Sequence, residues 1–189
     1  MKLAIAGSAG TGKTTLAQNI AAQTGWTYIP EFAREACEKL KVKTPREIPD
    51  ARKLEFQKII LDMKIEAETK AIDFVADRST IDVLAYYLWW NARNKNCDND
   101  YINTCTKQAL NYDMTYFLEW GAFPLVDDGF RSVNEYYQRS IHYLIKGILV
   151  DRGIKHFCID VGTLAQRELV AIALATAQHN FGQNAVTFN

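Results

Sequence analysis

The sequence contains little of what metal-binding and membrane-spanning proteins need. It has 4 cysteines and 3 histidines in 189 residues. Cys37, Cys97, Cys105 and Cys158 include no C-x-x-C pair, so we expect reduced structural thiols rather than a zinc site. The strongly apolar stretch at residues 83–90 falls far short of the ~20 residues that cross a bilayer. We therefore expect a cytoplasmic protein with no membrane partner.

An excess of charge of one sign is also missing. The 22 basic residues equal the 22 acidic residues, so no overall field favours DNA, RNA or an anionic membrane. Residues 39–53 hold six basic and two acidic residues, which a solvated helix or loop face explains better than a polyanion site. The remaining composition, 48% hydrophobic and 23% charged, is typical of a protein with a full core. The length predicts one domain over residues 1–189.

Short apolar runs alternate with amphipathic helical patterns. Five runs predict strands, at residues 2–6, 26–29, 72–76, 115–118 and 155–159. Capping boxes at Ser79-x-x-Asp82 and Ser132-x-x-Glu135 predict the starts of two of the helices between them. A last helix is expected at 163–178, followed by a short strand or a loose tail. This pattern predicts an α/β fold with a parallel sheet covered on both faces and ligands at the carboxyl ends of its strands.

The most specific motif lies between the first predicted strand and the helix after it. Residues 7–14, GSAGTGKT, fit G-x-x-x-x-G-K-[ST], and we call them the Walker loop. Glycines let backbone N–H groups converge on phosphate oxygens, Lys13 reaches the β and γ phosphates, and Thr14 would hold Mg²⁺. ATP and Mg²⁺ are therefore the expected cofactors. The expected ATP contacts are Gly7, Ser8, Ala9, Gly10, Thr11, Gly12, Lys13, Thr14 and Thr15.

The next two strands each deliver an acid and a base at their carboxyl ends. Glu31 and Arg34 follow the second strand, and Asp77 and Arg78 follow the third. Glu31 is placed to accept a hydroxyl proton from an acceptor molecule. Asp77 could bind magnesium as a Walker B aspartate does, or be the base itself, and the sequence leaves this choice open. The plainer alternative for Glu31 and Arg34 is an exposed ion pair on the first turn of a helix.

The combination of motifs resembles a known family. With Pro124-x-x-Asp127-Asp128-Gly129-Phe130-Arg131 ahead of a long helix, the chain resembles the P-loop kinases related to ribosylnicotinamide kinase over roughly residues 1–170. Glu31 and the Asp77-Arg78-Ser79 motif are also similar to deoxynucleoside and thymidylate kinases. The resemblance implies a three-layer α/β sandwich with a five-stranded parallel sheet in the order 2-3-1-4-5 and a helical lid over about 121–150. It also implies ATP-dependent phosphorylation of a nucleoside-like hydroxyl.

The resemblance implies roles for individual side chains as well. The acceptor would be held by Glu31, Arg34 and Arg78. Arg131 and Arg139 would belong to a closing lid that faces the transferred phosphoryl group, with a solvated helix surface as the alternative for Arg139. In such folds the loop at residues 160–163 usually receives the adenine, and this makes Arg167, one turn further on, a candidate ATP contact.

Three functions remain open at this stage. The first is a kinase of a free nucleoside or nucleotide, and the second is a kinase of hydroxymethylated bases within phage DNA. The third is a nucleotide-gated switch, which would need no acceptor site; the absence of an Asn/Thr-Lys-x-Asp motif argues against GTP. Aromatic residues that could stack on a base or belong to the core are Tyr86, Tyr87, Trp89, Trp90 and Trp120. The oligomeric state is open, a homodimer included.

Overall fold

Five parallel strands form one sheet in the order β2-β3-β1-β4-β5, which confirms the predicted topology. The structure, a computed structural model, describes residues 1–91, 97–159 and 163–185. The strands are β1 Lys2–Ala6, β2 Thr27–Ile29, β3 Phe74–Asp77, β4 Met114–Leu118 and β5 His156–Ile159. Each strand is followed by helical crossover segments or by α7, as parallel pairing requires.

Within the described residues, seven α-helices cover the two faces of the sheet. They are α1 Lys13–Thr24, α2 Ala33–Lys39, α3 Lys53–Lys70, α4 Thr80–Asn91, α5 Asn99–Leu110, α6 Glu135–Asp151 and α7 Leu164–Ala185. Two short 3₁₀ turns, Pro45–Glu47 and Asp50–Arg52, precede α3. Over the described residues, none of the helices is long and apolar enough to cross a membrane.

Side chains of β1 alternate between two hydrophobic cores. Leu3 and Ile5 pack with α1 and α7, whereas Ala4 and Ala6 join the larger core built from α2 to α6. The alternation follows from the pleat, which directs successive side chains to opposite faces. Both faces are therefore buried, and the carboxyl ends of the strands are left for a functional site.

Three predicted boundaries are wrong. Strand β3 begins at Phe74 rather than residue 72, because Ile72 lies in the preceding turn and is 87% exposed. The last helix continues to Ala185, so no strand or tail begins at residue 181. Helix α6 begins at Glu135 and is capped by Asn134, whose Oδ1 accepts the Tyr137 N–H at 3.0 Å. Residues 186–189 and residues 92–96 of the predicted polar loop lie outside the described residues.

The other capping box is confirmed. Ser79 Oγ accepts the N–H of Asp82 at 3.3 Å, and the Asp82 carboxylate accepts the N–H of Ser79 at 2.9 Å. These reciprocal bonds satisfy backbone donors at the start of α4. They also fix the direction in which the chain leaves β3.

Candidate active site

The Walker loop is shaped by close approaches that only glycine tolerates. Gly7 has φ +144°, and a Cβ there would lie 2.9 Å from the carbonyl oxygen of Leu118. Gly10 has φ +77°, and its Cβ would lie 2.7 Å from Cδ2 of Leu125. Helix α1 then begins at Lys13 with no side-chain cap. Its first-turn N–H groups are therefore available to an anion, as in other phosphate-binding helix starts.

Lys13 lies folded over this loop. It is 5% exposed, and its Nζ donates to the carbonyl oxygen of Ser8 and to Thr11 Oγ1 at 3.2 Å. Burial and then the charge of Arg78 together lower the pKa of Lys13 to about 8, against the opposing effect of the nearby carboxylates. A bound phosphate would favour the ammonium form, because an anion beside a lysine stabilises its charged state.

Asp82 anchors the Walker loop, a role that the sequence did not indicate. Its Oδ1 accepts the Gly7 N–H at 2.9 Å, and its Oδ2 accepts the Ser79 hydroxyl at 2.6 Å. The side chain is fully buried. Its position in the capping box predicted a helix start, but nothing in the local pattern indicated that the other carboxylate oxygen reaches the neighbouring strand end.

Thr14 and Asp77 lie together where a phosphate-bound cation would bind. Thr14 Oγ1 donates to Asp77 Oδ2 at 2.6 Å. Asp77 Oδ1 is buried and has no hydrogen-bond partner among the described residues. A hydroxyl and a carboxylate are hard oxygen ligands of the kind that Mg²⁺ takes alongside substrate phosphates. The residues present therefore fit the expected magnesium.

Glu31 lies between two arginines. Arg78 Nε is 2.7 Å from Glu31 Oε1, and an Arg131 guanidinium nitrogen is 3.4 Å from Oε2. Burial alone would raise the pKa of Glu31, but Arg78, Arg131 and Lys13 outweigh it and hold the pKa below its usual value. Glu31 is therefore ionised at neutral pH. Arg78 has φ +74°. This backbone conformation is uncommon for a non-glycine residue and persists where the surrounding structure holds it.

Three of the predicted site arginines lie elsewhere. The Arg34 side chain is 57% exposed, and it pairs with Asp128 at 2.8 Å instead of lining a cavity. Arg139 is exposed, with its guanidinium 4.9 Å from the ring centroid of Trp120. Arg167 is buried and donates to the Thr11 carbonyl oxygen at 2.9 Å, so it supports the Walker loop through its backbone. Residues 160–162 of the predicted adenine loop, 160–163, lie outside the described residues.

Two adjoining cavities open at this edge of the sheet. We call residues 121–134, between β4 and α6, the covering loop; they form no helix or strand. The smaller cavity, about 310 Å³, lies between the Walker loop and the covering loop, and it is lined by Gly10, Gly12, Thr15 and Leu125. The larger cavity, about 470 Å³, contains Glu31, Asp77 and Arg78. Residues that line both are Ala9, Arg131 and Ser132.

The larger cavity has aromatic walls and a polar amide. Its aromatic residues are Phe32, Phe56, Tyr86, Trp90, Phe130 and Tyr137. Gln57 also lines it, is 2% exposed, and its side-chain amide has no hydrogen-bond partner among the described residues. Of the aromatic residues predicted as stacking candidates, Tyr86 and Trp90 lie here. Tyr87 belongs to the core, and Trp89 and Trp120 do not line the cavity.

Two further residues were missed by the sequence patterns. Arg46 lines the larger cavity and donates to the Arg131 carbonyl oxygen at 2.6 Å. Gln138 lines the same cavity and bonds both the Walker loop and the covering loop. Arg46 could have been found only as part of the basic stretch at 39–53. Gln138 is a polar residue in an otherwise apolar helix stripe, which is a weak signal.

The strand order and the Walker loop at the first crossover define a P-loop kinase fold. Residues 2–167 match the family described as an AAA domain, and the chain belongs to this family. No curated protein matches the sequence significantly.

Solved structures with the same fold were found at low identity. NadR in complex with NAD and AMP-PNP is 20% identical with a TM-score of 0.65, over 90% of this chain and 47% of NadR. Deoxyadenosine kinase from M. mycoides with bound dATP is 18% identical with a TM-score of 0.63, over 93% and 99% of the two chains. Thymidylate kinase from Ehrlichia chaffeensis is 15% identical with a TM-score of 0.62, over 93% and 98%. The chain thus spans about half the length of NadR, and the likeness establishes the fold.

Proposed function

We propose that the protein is an ATP-dependent phosphotransferase that phosphorylates a hydroxyl of a nucleoside or nucleotide. The observation that carries the proposal is the pair of adjoining cavities, which share Ala9, Arg131 and Ser132. A hydrolase or a nucleotide switch needs a site for one ligand, whereas a transferase needs a donor site and an acceptor site that meet at the transferred group. The smaller cavity would take the ATP phosphates, and the larger would take the acceptor.

Glu31 is the proposed base. It lies in the larger cavity and is held ionised by Arg78 and Arg131, so it can accept the proton of an acceptor hydroxyl. Asp77 is committed to Thr14 beside the Walker loop, which favours the metal role over the base role. When bound there, Mg²⁺ would neutralise charge on the β and γ phosphates.

Three cations would act on the phosphoryl group and the acceptor. Lys13 would bind the β and γ phosphates, and Arg131, which lines both cavities, would stabilise charge on the group in transfer. Arg78 would fix Glu31 and the acceptor. Arg34 would act through the covering loop, because its partner is Asp128. The predicted roles of Arg139 and Arg167 stay predictions, and we propose no direct contact of either side chain with ATP or the acceptor.

The chemistry of the larger cavity supports a nucleoside-like acceptor. A volume of about 470 Å³ is within the usual range for small-molecule sites. Aromatic walls suit a planar base, and the amide of Gln57 can both donate and accept hydrogen bonds at a base edge.

The test is product analysis with labelled ATP. The protein is incubated with Mg²⁺, γ-labelled ATP and a panel of nucleosides, nucleoside monophosphates and DNA containing hydroxymethylated bases. We expect the label on a nucleoside or nucleotide, and its loss in Lys13→Ala. Lys58→Ala is the matched control, because Lys58 is a half-exposed lysine that pairs with Asp98 and lines neither cavity.

Other products would change the assignment. Label on the DNA alone would mean that the cavity takes a base flipped out of the duplex. The affinity for DNA should then fall steeply with salt, because several phosphate contacts release counterions. ATP binding without label on any acceptor would favour a switch and contradict the proposal.

A further inference from the structure

We propose that Gln138 is a positioning residue for phosphoryl transfer, which holds Arg131 in place by tying the covering loop to the Walker loop. The inference rests on the proposed function and names a residue that this function did not require.

Gln138 uses both ends of its amide, one on each loop. It lies in the first turn of α6 and is 2% exposed. Its Oε1 accepts the Ala9 N–H of the Walker loop at 3.1 Å. Its Nε2 donates to the Ser132 carbonyl oxygen of the covering loop at 2.8 Å. Glutamine carries one donor group and one acceptor on the same rigid plane, so the two loops are held at a fixed separation.

The contact with the covering loop falls beside Arg131. Ser132 is the next residue, and the Arg131 backbone is held on its other side by Arg46, which donates to its carbonyl oxygen, and by Asp128, which accepts its N–H at 2.8 Å. Arg46, which lines the larger cavity, connects Arg131 to the acceptor side of the site. Gln138 connects it to the loop that would bind phosphate.

This connection matters because Arg131 bridges the two cavities. The charge of Arg131 must lie close to the transferred group, and a displacement of about 1 Å can cost ~10²-fold in rate. The side-chain contact of Arg131 with Glu31, at 3.4 Å, is loose and partly exposed. The hydrogen bonds to the Arg131 backbone and to Ser132 compensate for this loose side-chain contact by fixing the position of the backbone.

Gln138→Leu tests the proposal, because leucine has a similar size and makes neither hydrogen bond. We expect kcat to fall ~10- to 100-fold while the KM values for ATP and acceptor stay nearly unchanged. Ser140→Ala is the control on the same helix, since the Ser140 hydroxyl bonds only a carbonyl of α6 itself. A rise in KM with kcat unchanged would overturn the proposal.

Limited proteolysis reports the position of the loop without using activity. Trypsin cleaves after arginine, and Arg131 and Arg152 are both partly exposed. Gln138→Leu should speed cleavage after Arg131 about tenfold and leave cleavage after Arg152 unchanged, because only the covering loop is released. Equal acceleration at both sites would mean a general loss of stability and would contradict the proposal.

A double-mutant cycle separates this inference from the proposed function. If Gln138 acts through Arg131, then Gln138→Leu should cost almost nothing in an Arg131→Ala background. Additive losses would overturn the role of Gln138 and leave that of Arg131 intact. If Arg131→Ala alone leaves transfer unchanged, the proposed role of Arg131 is wrong and the inference about Gln138 is wrong with it.

Discussion

Two segments border the candidate site, and they are held in different ways. Residues 77–82 begin at the last residue of β3 and are buried, with Asp82 bonded to both Gly7 and Ser79. The covering loop, residues 121–134, is bonded to the buried Gln138 at Ser132, near its end, and is otherwise held mainly by exposed groups such as the pair between Arg34 and Asp128. Buried, fully bonded groups fix geometry, whereas exposed ion pairs contribute little to stability.

The difference in how the two segments are held matches the role proposed for each. The proposed chemistry needs Glu31 and Asp77 at fixed positions, and the buried Arg78 holds Glu31 in place. A substrate must also enter and leave the two cavities, so the segment above them has to be able to open. Weak, exposed contacts around the covering loop are suited to that opening. The following predictions test this division between a fixed segment and a movable one.

The largest effect is expected at the base. Glu31→Gln keeps the shape and one acceptor oxygen but cannot take a proton, so kcat should fall by ~10²–10⁴ with nucleotide affinity nearly unchanged. Steady-state kinetics and a nucleotide-binding titration measure the two quantities. Because the arginines lower the pKa of Glu31, the loss of wild-type activity from protonation of this group should occur at a lower pH than that at which an ordinary glutamate takes up its proton.

Asp77→Asn is the paired variant. Its loss of activity should be partly restored by excess Mg²⁺, because Asp77 is proposed to serve the metal. A nearly silent Glu31→Gln, together with an Asp77→Asn loss that Mg²⁺ does not restore, would transfer the base role to Asp77.

The two segments should differ in their contribution to stability. Asp82→Ala leaves the N–H groups of Gly7 and Ser79 without their buried acceptor and removes one of the carboxylates near Arg78, which should cost about 3–5 kcal/mol of the free energy of unfolding. Asp128→Ala removes the pair with Arg34 and the bonds from the N–H groups of Phe130 and Arg131, and because these contacts are partly exposed it should cost only about 1–2 kcal/mol. Urea unfolding of both variants measures the difference. Similar losses would mean that the covering loop is as firmly built as residues 77–82.

Arg131, predicted for the lid, and Arg34, predicted for the acceptor site, should differ in their effect on kcat. Arg131→Ala should lower kcat ~10- to 100-fold, because a charge-assisted contact with the transferred group is lost. Arg34→Ala should change kcat less than about fivefold, since it removes an exposed ion pair. Comparable losses in kcat for both variants would place Arg34 in the acceptor site after all.

A smaller effect is expected from pH. The folded protein holds the pKa of Lys13 near 8, below its ordinary 10.5, so the ammonium is lost as the pH rises through 8. The ATP dissociation constant should then rise by up to about tenfold per pH unit, and Lys13→Arg, which stays charged, should show a flat profile. The unfolded chain keeps this proton up to about pH 10.5. Because of Lys13, the free energy of unfolding should therefore increase as the pH rises from 8 to 10.5.

The same division explains what the sequence could predict. The Walker loop and the Asp77-Arg78-Ser79 motif are local patterns whose geometry follows from a strand, a tight turn and a helix. The sequence alone therefore indicates both. Arg34 was placed in the acceptor site because it follows a strand end, but one exposed turn of α2 directs it to Asp128. Asp82, Gln138 and Arg46 act across 75, 129 and 85 residues of sequence. Such long-range partners leave no local pattern.

The central claim is that two adjoining cavities transfer a phosphoryl group from ATP to a small acceptor. The most direct measurement follows ADP, inorganic phosphate and phosphorylated acceptor in one reaction with ATP, Mg²⁺ and the nucleoside panel. The account predicts equal amounts of ADP and phosphorylated nucleoside or nucleotide, little free phosphate, and no product with Lys13→Ala. Equal amounts of ADP and inorganic phosphate, with no phosphorylated acceptor, would contradict it.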